Sequence, residues 1–253
     1  MKKPIILFLT ALFCLSAASM KAEDSEQAAA LYAAGNYGEA ATLYQQILDN
    51  APLSRHSRAT VLYNLGNARF KQGELSQAIL AYERSLRLNP RDKDVQYNLE
   101  FARTQIIDNI EDNRAFFFSS WAQAVRDTLT EETWQIVSLA TFVLMLTGIL
   151  LFLLGRTIAL RKASFHIAWI LLLVCIVSGL NAGSLHRRDS QQREAIITQG
   201  VLNAKSSPDR SGTDLFTLHE GTKVEIIETL GEWCNIRVGN NEGWILQAHA
   251  ERI

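Results

Sequence analysis

The sequence contains few cysteines and carries almost no net charge. Its three cysteines, Cys14, Cys175 and Cys234, are far apart, and none forms a C-x-x-C pair. A zinc site and a disulfide framework are therefore not expected, and the sequence predicts no metal and no other cofactor. The net charge of −1, with no aromatic residues interleaved among clustered Lys and Arg, also argues against nucleic-acid binding.

The sequence also lacks an arrangement of residues typical of an active site. Ser206, Asp214 and His219 are the residue types of a hydrolytic triad, but no glycine-flanked nucleophile on a strand-to-helix turn accompanies them. The remaining histidines stand singly, without the spacing of metal ligands. We therefore predict no catalytic residue and expect that the protein is not an enzyme.

Two long runs without Asp, Glu, Lys or Arg, residues 134–155 and 164–185, occupy the centre of the chain. At about 1.5 Å per residue, a helix of either length spans the roughly 30 Å hydrocarbon layer of a bilayer. A short basic loop, residues 156–163, separates them and favours the cytoplasmic side. The runs predict a transmembrane hairpin that places both flanking regions on the opposite side. No charged group lies within the spans, so a transporter is not predicted.

Small residues recur within the second predicted span. Cys175, Gly179 and Gly183 are four residues apart, a pattern that permits close contact between helices, and Gly148 in the first span is the expected partner. Contact within the hairpin satisfies this pattern without a second protein.

Residues 1–22 have the features of a secretory signal peptide. Lys2 and Lys3 precede an apolar stretch, and small residues suited to cleavage follow it up to Ala22. An uncleaved anchor is the alternative, and either one exports the chain from Glu23 onward. Arg187 and Arg188, just after the second span, oppose this orientation by their charge.

The region between the leader and the hairpin contains an internal repeat. The stretch from Gly35 to Pro52 has the same spacing of key residues as the stretch from Gly73 to Pro90, an offset of 38 residues, or 34 with four inserted residues. A period near 34 is typical of tetratricopeptide (TPR) repeats, which consist of two helices each. The sequence therefore predicts an all-α TPR superhelix over residues 23–112, with repeats near 21–54 and 59–92 and a partial third from 93.

Residues 59–92 resemble the TPR consensus most closely. The shared positions are Leu65-Gly66 where helices approach, Gly73 and Pro90 at helix ends, Ala78 at the helix crossing and Tyr82 in the packing slot. In this family the first helices line a concave face that holds partner segments. The corresponding groove positions here are Tyr63, Asn64, Asn67, Phe70, Lys71, Tyr97, Asn98 and Phe101. The alternatives are that these are consensus residues with no specific ligand, or that the groove packs against the chain's own residues 116–129.

Residues 113–133 connect the repeats to the hairpin. Phe117, Trp121, Val125 and Leu129 fall on one helical stripe, which favours a helix in the headgroup plane or one that caps the repeats. Thr128-x-x-Glu131 then resembles a capping box for the first spanning helix.

After a polar linker, residues 186–194, the C-terminal region alternates short strand-like runs with turn signals. Six such runs between 195 and 246 predict a small all-β barrel, with Gly221, Gly231 and Gly243 at positive-φ turns and a tight turn at Asn240-Asn241. Motifs at residues 201–208, 218–224, 231–233 and 242–245 resemble a bacterial SH3-like (SH3b) domain, expected over 195–253. Trp233 and Trp244 are a candidate ligand surface, although such tryptophans more often belong partly to the core, the interpretation favoured here.

The order of leader, TPR repeats, membrane hairpin and SH3b domain resembles the BatE-like members of the Bat aerotolerance family of Gram-negative bacteria. Closest are residues 98–111, 205–208, 211–216 and 219–221. The resemblance implies an inner-membrane, multi-pass scaffold with both modules in the periplasm. Its implied partners are membrane proteins with von Willebrand factor A (VWA) domains and a cytoplasmic MoxR-type ATPase, in stress tolerance or envelope-protein maturation. Alternatives are a peptidoglycan-binding anchor that acts through the SH3b domain and, less favoured, a membrane sensor.

Overall fold

The protein, as a computed structural model, is described over residues 24–108, 125–126, 128–191 and 193–253. The predicted signal peptide, Phe117 and Trp121 of the juxtamembrane stripe, and most of the 116–129 segment lie outside these ranges. The chain divides into two compact units: Met1–Asp112 with Arg193–Ile253, and Asn113–Gln192.

Over residues 24–108, the helical part of the first unit contains five helices. They are α1 (24–33), α2 (Tyr37–Asn50), α3 (Arg55–Lys71), α4 (Leu75–Leu88) and α5 (Lys93–Arg103). From α2 onward, each helix contacts the next along the chain, the arrangement of a helical repeat. The ends fall where the repeat pattern predicts them, since α3 ends just before Gly73, which has a φ of +82°, and α4 ends just before Pro90.

The close approach expected at Leu65-Gly66 is present between α3 and α4. A Cβ atom on Gly66 would lie 2.6 Å from two ring carbons of Tyr82, which is almost fully buried. Ala78 is also fully buried. Any side chain larger than hydrogen at position 66 would therefore displace the Tyr82 ring.

The C-terminal part of the first unit is a seven-stranded antiparallel sheet in the order β3-β2-β6-β5-β4-β1-β7. Its strands are β1 (Glu194–Ile197), β2 (Val201–Lys205), β3 (Asp214–His219), β4 (Lys223–Leu230), β5 (Trp233–Val238), β6 (Asn241–Leu246) and β7 (Ala250–Arg252). The six strands predicted from the sequence are confirmed. The sequence did not predict β7, because its three residues show no apolar alternation.

Two turn predictions in this sheet were wrong. Gly243 does not have a positive φ; it lies within β6, where a Cβ atom would sit 2.9 Å from the Cβ of Ala204. Gly243 thus permits a close approach of β2 and β6 rather than a turn. The β5–β6 turn is formed by Gly239 and Asn240, one residue earlier than predicted, since Val238 pairs with Asn241. Gly221 and Gly231 have positive φ values as expected.

The repeats and the sheet share a hydrophobic cluster. In β1, Ala195 and Ile197 face the core of the sheet, whereas Ile196 lies on the other side of the strand and is fully buried. Together with Ile253, Ile196 packs among residues of α4 and α5: Ala78, Ile79, Leu80, Tyr82, Val95, Leu99 and Ala102. The sequence suggested two separate modules, but the structure joins them through one core.

The second unit contains two long helices, α6 (Glu131–Leu154) and α7 (Ile158–Gln191), which pack against each other. Both are long and apolar enough to cross a membrane. Helix α7 is longer than predicted at both ends and continues through most of the expected linker 186–194. The linker prediction failed because residues 186–193 contain no Gly or Pro that would end a helix.

The contact between α6 and α7 only partly follows the predicted small-residue pattern. Cys175 Sγ lies 3.5 Å from the main-chain oxygen of Ser138, and a Cβ on Gly179 would lie 3.5 Å from Ser138 Oγ. Gly148 instead faces Ala168, and Gly183 has no neighbour within 4 Å of its Cβ position. A strict four-residue step drifts off the contact face of a helix with 3.6 residues per turn.

The N-terminus of α6 is capped two residues later than predicted. Thr130 Oγ1 accepts a hydrogen bond from the main-chain N–H of Thr133, whereas Thr128 Oγ1 donates to the main-chain oxygen of Val125. Because Glu131 is the first residue of the helix, it is not at the third helical position, which the acidic residue of a capping box occupies.

Candidate functional site

Most of the predicted groove residues meet around one pocket in the helical repeats. The pocket has a volume of about 250 Å³ and is lined by Tyr32, Asn67, Phe70, Lys71, Tyr82, Tyr97, Asn98 and Phe101. Of the predicted groove residues, only Tyr63 and Asn64 are missing from this lining. The pocket therefore combines side chains from α1, α3, α4 and α5.

Two asparagine side chains form the polar centre of the pocket. Asn67 Oδ1 accepts hydrogen bonds from the Tyr82 hydroxyl at 2.8 Å and from Asn98 Nδ2 at 2.9 Å. Asn98 Nδ2 also donates to the hydroxyl of Tyr63 at 3.2 Å. Tyr63 therefore helps to orient the Asn98 side chain, although Tyr63 does not line the pocket.

These bonds fix which atoms of the two amides remain available. Within the described ranges, the side-chain nitrogen of Asn67 and the side-chain oxygen of Asn98 have no hydrogen-bond partner. An amide N–H₂ is a donor and an amide oxygen is an acceptor. The pair therefore offers one donor and one acceptor, which is the complement of a peptide backbone unit.

The ionisation state of Tyr82 maintains this arrangement. Burial, with a smaller effect from Tyr63 and Tyr32, raises the pKa of Tyr82 well above its ordinary value. The phenol therefore stays protonated at all physiological pH values and remains a donor to Asn67.

Aromatic rings form the walls of the pocket. The rings of Phe70 and Phe101 lie 5.8 Å apart between centroids, in a tilted arrangement. Tyr97 is 72% exposed and Phe101 is 51% exposed, so much of their apolar surface faces solvent. Within the described part of the chain, Lys71 is the one charged residue of the lining. Exposed aromatic rings beside available amides are typical of a surface that binds another molecule.

The pocket is small, and its described lining consists of five aromatic residues, two asparagines and a lysine. Among the residues that the structure describes, the lining includes no carboxylate, histidine, serine or cysteine. Its volume lies just under the roughly 300–1,000 Å³ of typical small-molecule sites. A single side chain with its adjoining backbone is small enough for a space of this size.

Two members of the lining were not predicted as site residues. Tyr82 was identified only as a packing residue, yet its hydroxyl reaches Asn67. Tyr32 comes from α1, where the first repeat has Gln27-Ala28 in place of the Leu-Gly pair, so the sequence did not define a groove position there.

The candidate surface on the sheet involves Trp233 and Trp244. Asn235 lies directly opposite Trp244 in the β5–β6 pairing, and Trp233 lies opposite Leu246. Both tryptophans are half-buried, on the face opposite to that of Cys234 and its core neighbours. The Oδ1 atom of Asn235 is buried there and accepts no hydrogen bond from any residue that the structure describes.

A polar cluster around Asp108, which follows α5 in the chain, connects this segment to the sheet. Asp108 Oδ2 accepts hydrogen bonds from the main-chain N–H of His219 at 2.8 Å and from Thr222 Oγ1 at 2.7 Å. Asp108 Oδ1 lies 2.6 Å from His219 Nδ1. Burial raises the pKa of Asp108, but the hydrogen bonds from Thr222 and His219 together outweigh burial and hold this pKa below its ordinary value.

Comparison with known families agrees with this fold. Residues 26–54 and 59–92 each match the model of the tetratricopeptide repeat, and residues 200–251 match that of the bacterial SH3 domain. No curated protein matches the chain. The predicted fold class is therefore confirmed: TPR helices, two candidate membrane-spanning helices and an antiparallel SH3b domain. Membership of the Bat family stays a prediction.

Proposed function

We propose that this chain is a membrane-anchored scaffold whose TPR pocket holds a segment of another protein. The observation that supports this most strongly is the Asn67–Asn98 pair, which presents one donor and one acceptor between exposed aromatic rings. TPR and bacterial SH3 domains are protein-interaction modules in general, which is consistent with a scaffold.

The pocket binds an extended segment through backbone and side-chain contacts. A backbone carbonyl of the segment accepts from Asn67 and a backbone N–H donates to Asn98, each worth about 0.5–1.5 kcal/mol net. An apolar side chain between Phe70, Phe101 and Tyr97 adds about 1.5–3 kcal/mol. Lys71 favours segments with a carboxylate nearby. Contacts of this size give a weak, reversible interaction that membrane co-localisation strengthens.

Sequence features support a proposal for the compartment and the partners. The leader and the basic loop 156–163 support a hairpin whose two ends face the periplasm, with the TPR and SH3b domains there at the inner membrane. The resemblance to the Bat family supports VWA-domain membrane proteins as partners and a link to a MoxR-type ATPase in stress tolerance or envelope-protein maturation.

Photo-crosslinking in living cells tests the pocket. A photoreactive phenylalanine analogue replaces Tyr97 in the full chain, and a matched control carries it at Ile107, which is 74% exposed but does not line the pocket. We expect an adduct with an integral membrane protein from position 97 only. No adduct from position 97, or the same adduct from both positions, would contradict the proposal.

Protease digestion tests the compartment. Protease added to intact spheroplasts should digest both the TPR repeats and the SH3b domain, because both lie outside the cytosol. Digestion of one domain with protection of the other would contradict the hairpin topology.

Peptidoglycan binding by the SH3b domain is the second candidate function. The buried, unpartnered oxygen of Asn235 beside Trp233 and Trp244 favours a ligand that brings a hydroxyl or amide donor and a ring face that stacks on indole. Detergent-solubilised full chain would then sediment with purified sacculi, and Trp244→Ala would reduce sedimentation. The control is Val201→Ala, at an exposed position of β2. Equal sedimentation of both variants would contradict this function.

A further inference from the structure

The third repeat has a first helix, α5, and the SH3b domain contributes to the hydrophobic cluster that contains this helix. In the complete repeat, α3 lies between two second helices and contacts both α2 and α4. Helix α5 contacts α4. Its apolar residues Val95, Leu99 and Ala102 belong to a cluster that also contains residues of α4 and, from the sheet, Ile196 and Ile253.

The position of Ile196 in β1 indicates that the SH3b domain is adapted to pack against the helices. Its neighbours in β1 face the core of the sheet, so Ile196 would project into solvent if the domain stood alone. It is instead fully buried against the helices. The sheet also comes close to the helical region at Gly221. A Cβ atom on Gly221 would lie 3.0 Å from a side-chain carbon of Ile79 and 3.2 Å from one of Ile106.

Charged residues complete the same interface. Glu83 on α4 is buried and pairs with Arg103 at the end of α5 and, at 3.1 Å, with Lys223 of β4. One carboxylate therefore links α4, α5 and the sheet. Beyond α5, Asp108 is held by His219 and Thr222.

We infer that the SH3b domain is the cap of the TPR array and that it positions α5. This helix places Tyr97, Asn98 and Phe101 in the lining of the pocket. Helical repeats need terminal caps because each repeat buries its apolar face only against neighbours. Ile196 and Glu83 are positioning residues in this account, since neither lines the pocket. A ligand or substitution that shifts the SH3b domain consequently changes the pocket, and the coupling is reciprocal.

Hydrogen exchange of the full chain in detergent tests this inference. Ile196→Ala should raise amide exchange across α5 by about tenfold or more, because a lost apolar contact makes local opening easier, while α2 stays unchanged. Ile196→Val should restore most of the protection. The matched control is Val201→Ala, at an exposed strand position. The NMR signals of the Asn98 side-chain amide should shift in Ile196→Ala but not in Val201→Ala, because the hydrogen bond from Asn98 to Asn67 depends on the position of α5.

A second variant covers the case in which Ile196→Ala unfolds the sheet, which circular dichroism would reveal. Glu83→Gln keeps the shape of the side chain but removes its charge from Arg103 and Lys223, and it should also raise exchange in α5. Unchanged α5 exchange in a folded Ile196→Ala protein, or in Glu83→Gln, would overturn the inference. Neither measurement requires a bound partner, so the outcome is independent of the proposed function.

Discussion

Asn98 donates a hydrogen bond to the side-chain oxygen of Asn67 at 2.9 Å and so connects α5 to α3 across the pocket. Tyr82 donates to the same oxygen, and Tyr63 accepts from the same nitrogen. The four side chains form a network that both stabilises the repeat and orients the two amides. Structure and proposed binding therefore depend on the same bonds.

Replacement of Asn98 tests this network. Asn98→Ala removes two hydrogen bonds and should lower the free energy of unfolding by about 1–3 kcal/mol, measured by urea denaturation of the full chain in detergent. The control is Glu100→Ala, at an exposed position of the same helix, which should change stability by less than about 0.5 kcal/mol. Equal stability of the two variants would mean that the network contributes nothing.

Gly66 provides a test of the helix crossing. In Gly66→Ala the new methyl group would overlap the ring of Tyr82, and we expect a loss of about 1–3 kcal/mol in unfolding free energy. Gly38→Ala is the matched control, because a Cβ there lies 3.9 Å from its nearest neighbour and alanine favours the helix. Thermal unfolding followed by circular dichroism should show a lower midpoint for Gly66→Ala only. A midpoint equal to that of Gly38→Ala would show that the crossing can relax.

The interface between α5 and the SH3b domain should be sensitive to acid. Because the folded pKa of Asp108 is below its ordinary value, this group stabilises the fold at pH values above the unfolded carboxyl pKa of about 4. That contribution is lost as the pH falls through the folded pKa.

Urea unfolding at a series of pH values between 7 and 2.5 measures this effect. Stability should decline less steeply below pH 4 in Asp108→Asn than in the unsubstituted chain. Glu232→Gln, which removes a carboxylate at an exposed turn position, is the control for general acid effects. A decline of the same steepness in Asp108→Asn and the unsubstituted chain would contradict the role of Asp108.

The hairpin contact predicts different effects for two glycines. Gly148→Leu should separate α6 and α7, because even a Cβ atom at this position would lie 3.4 Å from the Cβ of Ala168. Gly183→Leu should not separate them, because no atom lies within 4 Å of the Cβ position of Gly183. Maleimide labelling of Cys175, which touches Ser138 across the contact, reports the separation in a background without Cys14. Cys234 contributes little, because burial raises the pKa of its thiol to about 11. Cys175 should therefore be labelled faster in Gly148→Leu than in Gly183→Leu. The opposite order would contradict the assignment of Gly148 to the contact between the two helices.

The repeats and their pocket could be predicted because TPR positions have fixed physical roles. Gly66, Gly73 and Tyr82 each satisfy a packing or backbone requirement that no other residue type meets as well. Once these positions set the register, the groove residues follow by helical periodicity, and most of them line the pocket. The contribution of Tyr32 could not be predicted, since the first repeat lacks the pair that would have set its register.

The union of the repeats with the SH3b domain could not be predicted from the sequence. In an Ala-Ile-Ile run, nothing distinguishes Ile196, which packs on the helices, from Ile197, which packs inside the sheet. Asp108 and His219 are 111 positions apart in the chain, and no local pattern links them. Contacts of this kind depend on tertiary geometry, whereas periodicity reports only the local face of an element.

The most direct test of the central claim measures the affinity of the detergent-solubilised full chain for the protein captured from position 97. Phe101→Ala should weaken this affinity by about tenfold or more, because it removes an exposed wall of the pocket. Ile107→Ala, at an even more exposed apolar position outside the pocket, should leave this affinity within about twofold. Equal affinities for the two variants would contradict the claim that the TPR pocket holds the partner.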